Sequence, residues 1–426
     1  MLTVHGKTQD SYCDNVSRRN FLKIGALGLG GLTLVDLLRL ESAAGIGSSN
    51  KAIINIHLGG GPSHQDMFDL KPNAPMEYRG EFNPIQTNVP GMEICELMPS
   101  LAGMADKFAV IRALVGSNAG HSSQQTHTGF SKKSLPSIGG RPSIGAVVAK
   151  MQGSDSGAPP WVSHNGGGPG YLGATYRPFT SSKGGMTNLT LNRALTADRL
   201  QDRASLLTSL DNIRREVDAH GQMTAMDSFT EKAVEIVTSG KVADALDMKK
   251  EDPAIIARYG KTNQSLLQAR RLIDVGVRVV TMNGPWGNWD THSDNFKKLR
   301  GNLPKVDEGL SALLWDLERL GKLEDVSVVM WGEFGRTPRV NKKAGRDHWP
   351  AVAMAWMAGG GMRTGQMVGE TTRYAENAKN RPVHFQEVLA TLYHNLGVDS
   401  RTAQFIDPTG RPQYLLEHNQ PIRELV

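Results

Sequence analysis

The stretch from Val326 to Pro350 reads VSVVMWGEFGRTPRVNKKAGRDHWP. Val326-Ser327-Val328-Val329-Met330-Trp331 is a short, β-branched apolar run, the signature of a strand buried on both faces of a parallel sheet. Immediately past it come Gly332, Glu333, Phe334, Gly335 and Arg336, then a basic loop, then Arg346-Asp347-His348-Trp349-Pro350. Open α/β sheets keep their ligands at the carboxyl ends of parallel strands. The two glycines permit a sharp turn that aims Glu333 into the crevice. Glu333, Arg336 and His348 are therefore expected to share one site.

Working outward, Val277 to Met282 reads as a second strand, followed by a loop carrying Asp290 and His292. Pro304 to Leu320 is amphipathic, with Val306, Leu310, Leu313, Leu314 and Leu317 on one face. The order strand, helix, strand predicts a right-handed βαβ crossover that brings the Asp290/His292 loop beside Glu333. Ala52 to Leu58 predicts the first strand, and the loop Gly59-Gly60-Gly61-Pro62-Ser63-His64-Gln65-Asp66 follows it. That loop lacks both the Gly-Lys-Ser/Thr ending and the third glycine of nucleotide-binding loops, which excludes a phosphate-binding loop for nucleotides. His57 alternates with apolar neighbours and reads as a core or sheet-end histidine. His64 and Asp66 are candidate ligands. Phe108 to Val115 predicts another strand, and Ser122 with Gln125 fits a capping box at a following helix start. His121, just outside that start, is the stronger candidate for chemistry than His127, six residues on.

Composition limits the alternatives. The 426 residues are 39% hydrophobic and 21% charged, with 47 glycines, ample for a large globular core. The net charge of +6 is spread along the chain without a basic run interleaved with aromatics, which argues against nucleic-acid binding. Of two cysteines, Cys13 lies in a segment expected to be removed, leaving Cys95 as a small buried hydrophobe.

Ser17-Arg18-Arg19-Asn20-Phe21-Leu22-Lys23 and the Gly-rich apolar run after it form a twin-arginine export signal. Residues 1–44 are expected to be its signal peptide, with delivery by the twin-arginine translocase to the periplasm or cell surface. The apolar run is too short and glycine-rich to span a bilayer, so no transmembrane span is expected in the mature protein. Residues 45–426 are expected to form a single domain. From about 196 to 274 the spacing of apolar residues, such as Leu200, Ala204, Leu207 and Leu210, predicts a largely helical section.

Pro99-Ser100-Leu101, Ala105-Asp106, the strand after them and the Ser-rich helix start ending in Thr128-Gly129 resemble the front half of sulfatases and alkaline phosphatases. The nucleophile position of that pattern falls on Ala119. The resemblance implies an α/β fold with a mostly parallel central sheet and helices on both faces. It also matches Asp290 and His292 to a first pair of metal ligands, Glu333 to a later carboxylate and His348 to the last ligand. Asp347, His64 and Asp66 are possible additional ligands. Nitrogen and oxygen donors without thiolate suit one divalent ion, Zn, Mn, Fe or Ca. LGGGPSH, WDTH, GEFGRTP and GRDHWP together resemble one exported family, designated domain of unknown function 1501.

The expected activity is metal-dependent hydrolysis of phosphate or sulfate esters. Arg336 is expected to hold the anion, and His121 and Ser122 to line the reacting centre. The alternative is a non-catalytic protein of the same fold that binds sulfated or phosphorylated glycans. Either way the expected partner is an anionic small molecule or such a glycan.

Overall fold

The computed structural model describes residues 51–154, 157–180, 236–237 and 239–426. The twin-arginine segment and the helical pattern from 196 to 235 lie outside the described residues. The described residues belong to one compact unit. Among the described residues no helix is long and apolar enough to cross a membrane.

Numbered in chain order, the strands that matter are β1 (Ala52–His57), β2 (Phe108–Val115), β3 (Trp161–Ser163), β4 (Val279–Asn283) and β5 (Val326–Trp331). A two-stranded ribbon follows, β6 (Gly335–Arg336) and β7 (His348–Trp349), then β8 (Ala353–Gly359), β9 (Gln366–Val368) and β10 (Val383–His384). The main sheet runs β9-β2-β8-β5-β1-β4-β3, with β10 beside β2. β1 pairs in parallel with both β4 and β5, as their near-continuous apolar sequences predict. β8 is antiparallel to β2 and to β5, so the sheet is mixed and β2 still points the same way as β5. The carboxyl ends of β1, β2, β4 and β5 therefore share one edge.

Side-chain alternation loads both faces of the sheet. Ala52, Ile54 and Ile56 of β1 and Val326, Val328 and Met330 of β5 join one core cluster, whereas Ile53, Val329 and Trp331 join the other. Two four-residue helices, Met76–Arg79 and Pro99–Ala102, aside, the α-helices among the described residues are α1 (Gln124–Thr128), α2 (Ile144–Met151), α3 (Lys241–Leu246), α4 (Pro253–Tyr259), α5 (Gln264–Asp274), α6 (Asn295–Arg319) and α7 (Phe385–Asn395). α3 to α6 pack into the first cluster, while α2 and α7 close the second. Each fully buried leucine contributes roughly 1.5–3 kcal/mol, which makes α6, with Leu299, Leu303, Leu310, Leu313, Leu314 and Leu317, a principal clamp on the sheet.

α6 begins nine residues before the expected start at Pro304. Phe296, Leu299 and Leu303 extend the apolar stripe upstream, and Pro304 sits inside the helix on its exposed outer face. The capping box expected at Ser122 does not form. α1 starts at Gln124, Ser122 Oγ accepts from the Gln124 amide at 3.2 Å, and Gln125 is drawn toward Gly116 and Asn118 instead.

Candidate metal centre

Four loops leave the carboxyl edge of the sheet and meet. The loop after β4 is pinned by Trp286 and Trp289, each 1% exposed, and Trp286 Nε1 donates to Asn263 at 2.7 Å. Its Thr291 carbonyl accepts from the Arg346 amide at 2.9 Å, which ties it to the loop leading into β7. Two glycines make the approach possible. A Cβ on Gly60, at φ +106°, would lie 2.4 Å from the Asp290 amide nitrogen, and one on Gly345 would lie 2.1 Å from the His292 carbonyl oxygen.

Asp290 is the hub. Its Oδ1 lies 3.1 Å from His292 Nε2 and 3.3 Å from His348 Nε2, and those two nitrogens are 3.1 Å apart. Asp290 Oδ2 is 3.5 Å from Nε2 of His121. Burial raises the Asp290 carboxyl pKa, but the hydrogen bond and charge of Arg336, joined by His348 and His292, outweigh it, and the group ends below its usual range.

The proton positions follow from what stands behind each ring. His348 Nδ1 faces the Ala119 carbonyl at 2.9 Å, an acceptor only. His292 Nδ1 faces the Asp347 carboxylate at 2.6 Å, and His121 Nδ1 faces Glu333 Oε1 at 3.1 Å. Each Nδ1 faces an acceptor, so in its neutral form each ring would present the Nε2 lone pair inward. Three lone pairs and a carboxylate then face one another with no donor among them except Arg336. A cation relieves that repulsion. Tetrahedral coordination at about 2.0–2.1 Å separates neighbouring donors by about 3.3 Å, which matches the spacings around Asp290. His121, Asp290 and His348 offer ligand atoms all within 4.8 Å of one another. The donor set fits a divalent ion.

Several expected residues occupy other places. Glu333, 2% exposed, stands behind His121; its Oε1 also accepts from the Gly60 amide at 2.8 Å, and Oε2 faces His57 Nε2 at 3.5 Å. Asp347 likewise stands behind His292. Arg336 is completely buried, and its donors go to the carbonyls of Gly61 at 3.0 Å, Arg346 at 2.9 Å and Gly60, and to Asp290. It braces Asp290 from behind, and the expected anion clamp is not what the geometry supplies. Asp66 is spent on a buried bidentate pair with Arg346 at 2.8 and 2.9 Å, plus Ser63 and Asn295. His64 is buried beneath the loop, 3.9 Å from Asp69, and stands outside the cluster. Both depart from the expectation of ligands because the glycine loop turns them into the interior.

In front of the cluster opens a cavity of about 390 Å³, lined by residues that include His57, His121, Ser122, Asn165, Asn283 and Glu333. His57, expected as a core or sheet-end histidine, is buried at the sheet end. Burial lowers its pKa against the opposing pull of Glu333, and its position as the last residue of β1, before glycines, is the sequence signal that placed it at the rim. Asn165 and Asn283 carried no signal, since isolated amides in loops and at strand ends are everywhere in sequences. Cys95 is a free buried thiol, as expected.

Residues 50–426 match the model of a family described as "Protein of unknown function (DUF1501)". The chain belongs to the DUF1501 family. No curated protein matches this DUF1501 chain. Among solved structures it is similar to Ps i-CgsB, alone and in complex with k-i-k-neocarrahexaose, at 11% identity and TM-score 0.36, covering 82% of this chain and 72% of that one. It is also similar to PsFucS1, a sulfatase from Pseudoalteromonas sp., at 12% identity and TM-score 0.37, covering 86% and 71%.

Proposed function

We propose that this DUF1501 protein is an exported, metal-dependent hydrolase of phosphate or sulfate esters. The observation that carries the reading is the convergence of three imidazole Nε2 atoms, each with its Nδ1 anchored to an acceptor, on the Asp290 carboxylate. Asp290, His121, His292 and His348 would hold the ion. A divalent ion supplies charge to polarise a phosphoryl or sulfuryl oxygen and makes water a better nucleophile near neutral pH.

The chain's own groups set the stage for that chemistry. Asp347, Glu333 and the Ala119 carbonyl fix the three rings in the tautomer that binds a cation. Arg336 keeps Asp290 ionised and oriented. His57 and Glu333 stand on the cavity wall as proton acceptors, while Asn165 and Asn283 offer amides to the non-bridging oxygens of an ester. Asn165 Nδ2 is buried and has no hydrogen-bond partner among the described residues.

One observation favours the non-catalytic alternative: the position that would carry a nucleophile is Ala119, whose carbonyl is committed to His348. The test is direct. Protein prepared without chelators is analysed for metals, then assayed on aryl phosphates and aryl sulfates beside His348→Ala and His292→Ala. Stoichiometric metal with turnover lost in both variants supports the hydrolase. Metal without turnover on any ester leaves the binding protein, and no metal in the native protein removes the hydrolase. Export is supported by the Ser17-Arg18-Arg19 motif; replacing both arginines by lysine should hold the protein in the cytoplasm, and unchanged export would exclude the twin-arginine route.

A further inference from the structure

The β6/β7 ribbon has two sides. Successive strand residues point to opposite faces, so His348 serves the metal cluster while Trp349 turns into a second cavity. This cavity, of about 510 Å³, is lined by residues that include Tyr78, Arg339, Lys342, Asp347, Trp349 and Glu376. It adjoins the metal centre through a single bridge: Asp347 on its wall holds His292 Nδ1 at 2.6 Å, and His292 Nε2 faces Asp290.

Most polar groups of the wall are already spent. Thr337 Oγ1 donates to the Arg339 carbonyl and accepts from the Asp347 amide. Asn341 donates to the His292 carbonyl and to Asp347, and accepts from the amides of Lys343 and Gly345. Trp349 Nε1 donates to the Glu376 carbonyl at 2.6 Å, so only the indole faces are on offer. Tyr78 is held by stacking on Tyr374, with ring centroids 4.6 Å apart. What remains for a ligand is two aromatic side chains, the exposed cations Arg339 and Lys342, and one carboxylate, Glu376. Neither cation has an acidic partner among the described residues, and the exposed Lys343 follows them on the same loop.

We infer that this cavity binds a sugar ring that carries an acidic group, one residue removed from the ester at the metal. Aromatic faces take the apolar face of a ring, and unpaired Arg339 and Lys342 take a sulfate, phosphate or carboxylate substituent. The substrate is then at least doubly anionic and polymeric in character. The inference deepens the ester-hydrolase reading, but the cavity's binding does not require the metal.

The experiment uses the full chain and sucrose octasulfate as probe, with sucrose and inorganic sulfate as controls, followed by calorimetry and by Trp fluorescence. Measurements are made before and after metal removal by a chelator. Sucrose octasulfate is expected to bind in both states and to lose at least tenfold in affinity in Arg339→Ala/Lys342→Ala, two exposed changes that leave the core untouched. Binding should also weaken as salt rises. Equal binding by the double variant, or binding of inorganic sulfate as tight as that of the polysulfated sugar, overturns the assignment. Binding of sucrose as tight as that of its sulfated form overturns the acidic half of it. Binding lost only on chelation assigns the probe to the metal centre and also overturns it. If native protein contains no metal yet the double variant still loses probe affinity, the hydrolase reading fails while this cavity stands.

Discussion

Asp347→Asn is the perturbation that best separates a supporting carboxylate from a ligand. The carboxylate holds His292 Nδ1 at 2.6 Å and lies outside the ring of Nε2 atoms. Asparagine keeps an oxygen in that place, so ring orientation survives and only the charge behind the imidazole is lost. Losses of 10–100-fold in metal affinity are typical of such outer partners. The Asp347 side chain is 51% exposed, which screens its charge, and the low end applies: about tenfold, or about 1.4 kcal/mol. Glu333 does the same for His121 at 3% side-chain exposure, so Glu333→Gln should reach the upper end, about 100-fold. Competition for Zn²⁺ against a chromogenic chelator measures both. The reasoning fails if neither variant differs from the parent protein. It also fails if Asp347→Asn loses metal as completely as Asp290→Asn, because Asp347 would then be a ligand itself.

Three further outcomes follow from the same geometry. Gly60→Ala forces a Cβ against the Asp290 amide at a φ of +106°, and should lower metal affinity at least as far as Glu333→Gln while circular dichroism shows the sheet intact; unchanged affinity would mean the two loops need not touch. Asp66→Asn breaks the buried pair with Arg346 and should cost about 3–5 kcal/mol in urea unfolding, with metal affinity unchanged in the variant that remains folded; the reverse pattern would return Asp66 to the metal. Burial pushes His64 and His127 down to about 4, so between pH 6.5 and 4 the unfolded chain binds protons that the folded one refuses. Stability should therefore fall as pH drops from 6.5 toward 5, above the range of ordinary carboxylates, by an amount on the order of 1 kcal/mol per unit for each histidine; a flat profile there would show that both rings are charged inside the fold.

Local sequence was enough for the scaffold. Apolar runs at 52–57, 108–115 and 326–331 became strands within a residue of their expected ends, because continuous β-branched segments bounded by glycines have few other ways to satisfy their backbones. It also indicated which loops meet, since glycine-flanked acids and histidines after strands stand at the edge where the carboxyl ends of parallel strands lie. What it could not determine was which atom of each group faces the centre. Glu333, Asp347 and Arg336 are the same residue types whether they bind a ligand or support one that does. Only the tertiary structure shows Glu333 behind His121, Arg336 consumed by the carbonyls of Gly60, Gly61 and Arg346, and Asp66 turned inward to that same Arg346. Those roles are settled by contacts of 2.9 to 3.1 Å between loops hundreds of residues apart, and local sequence holds no record of them.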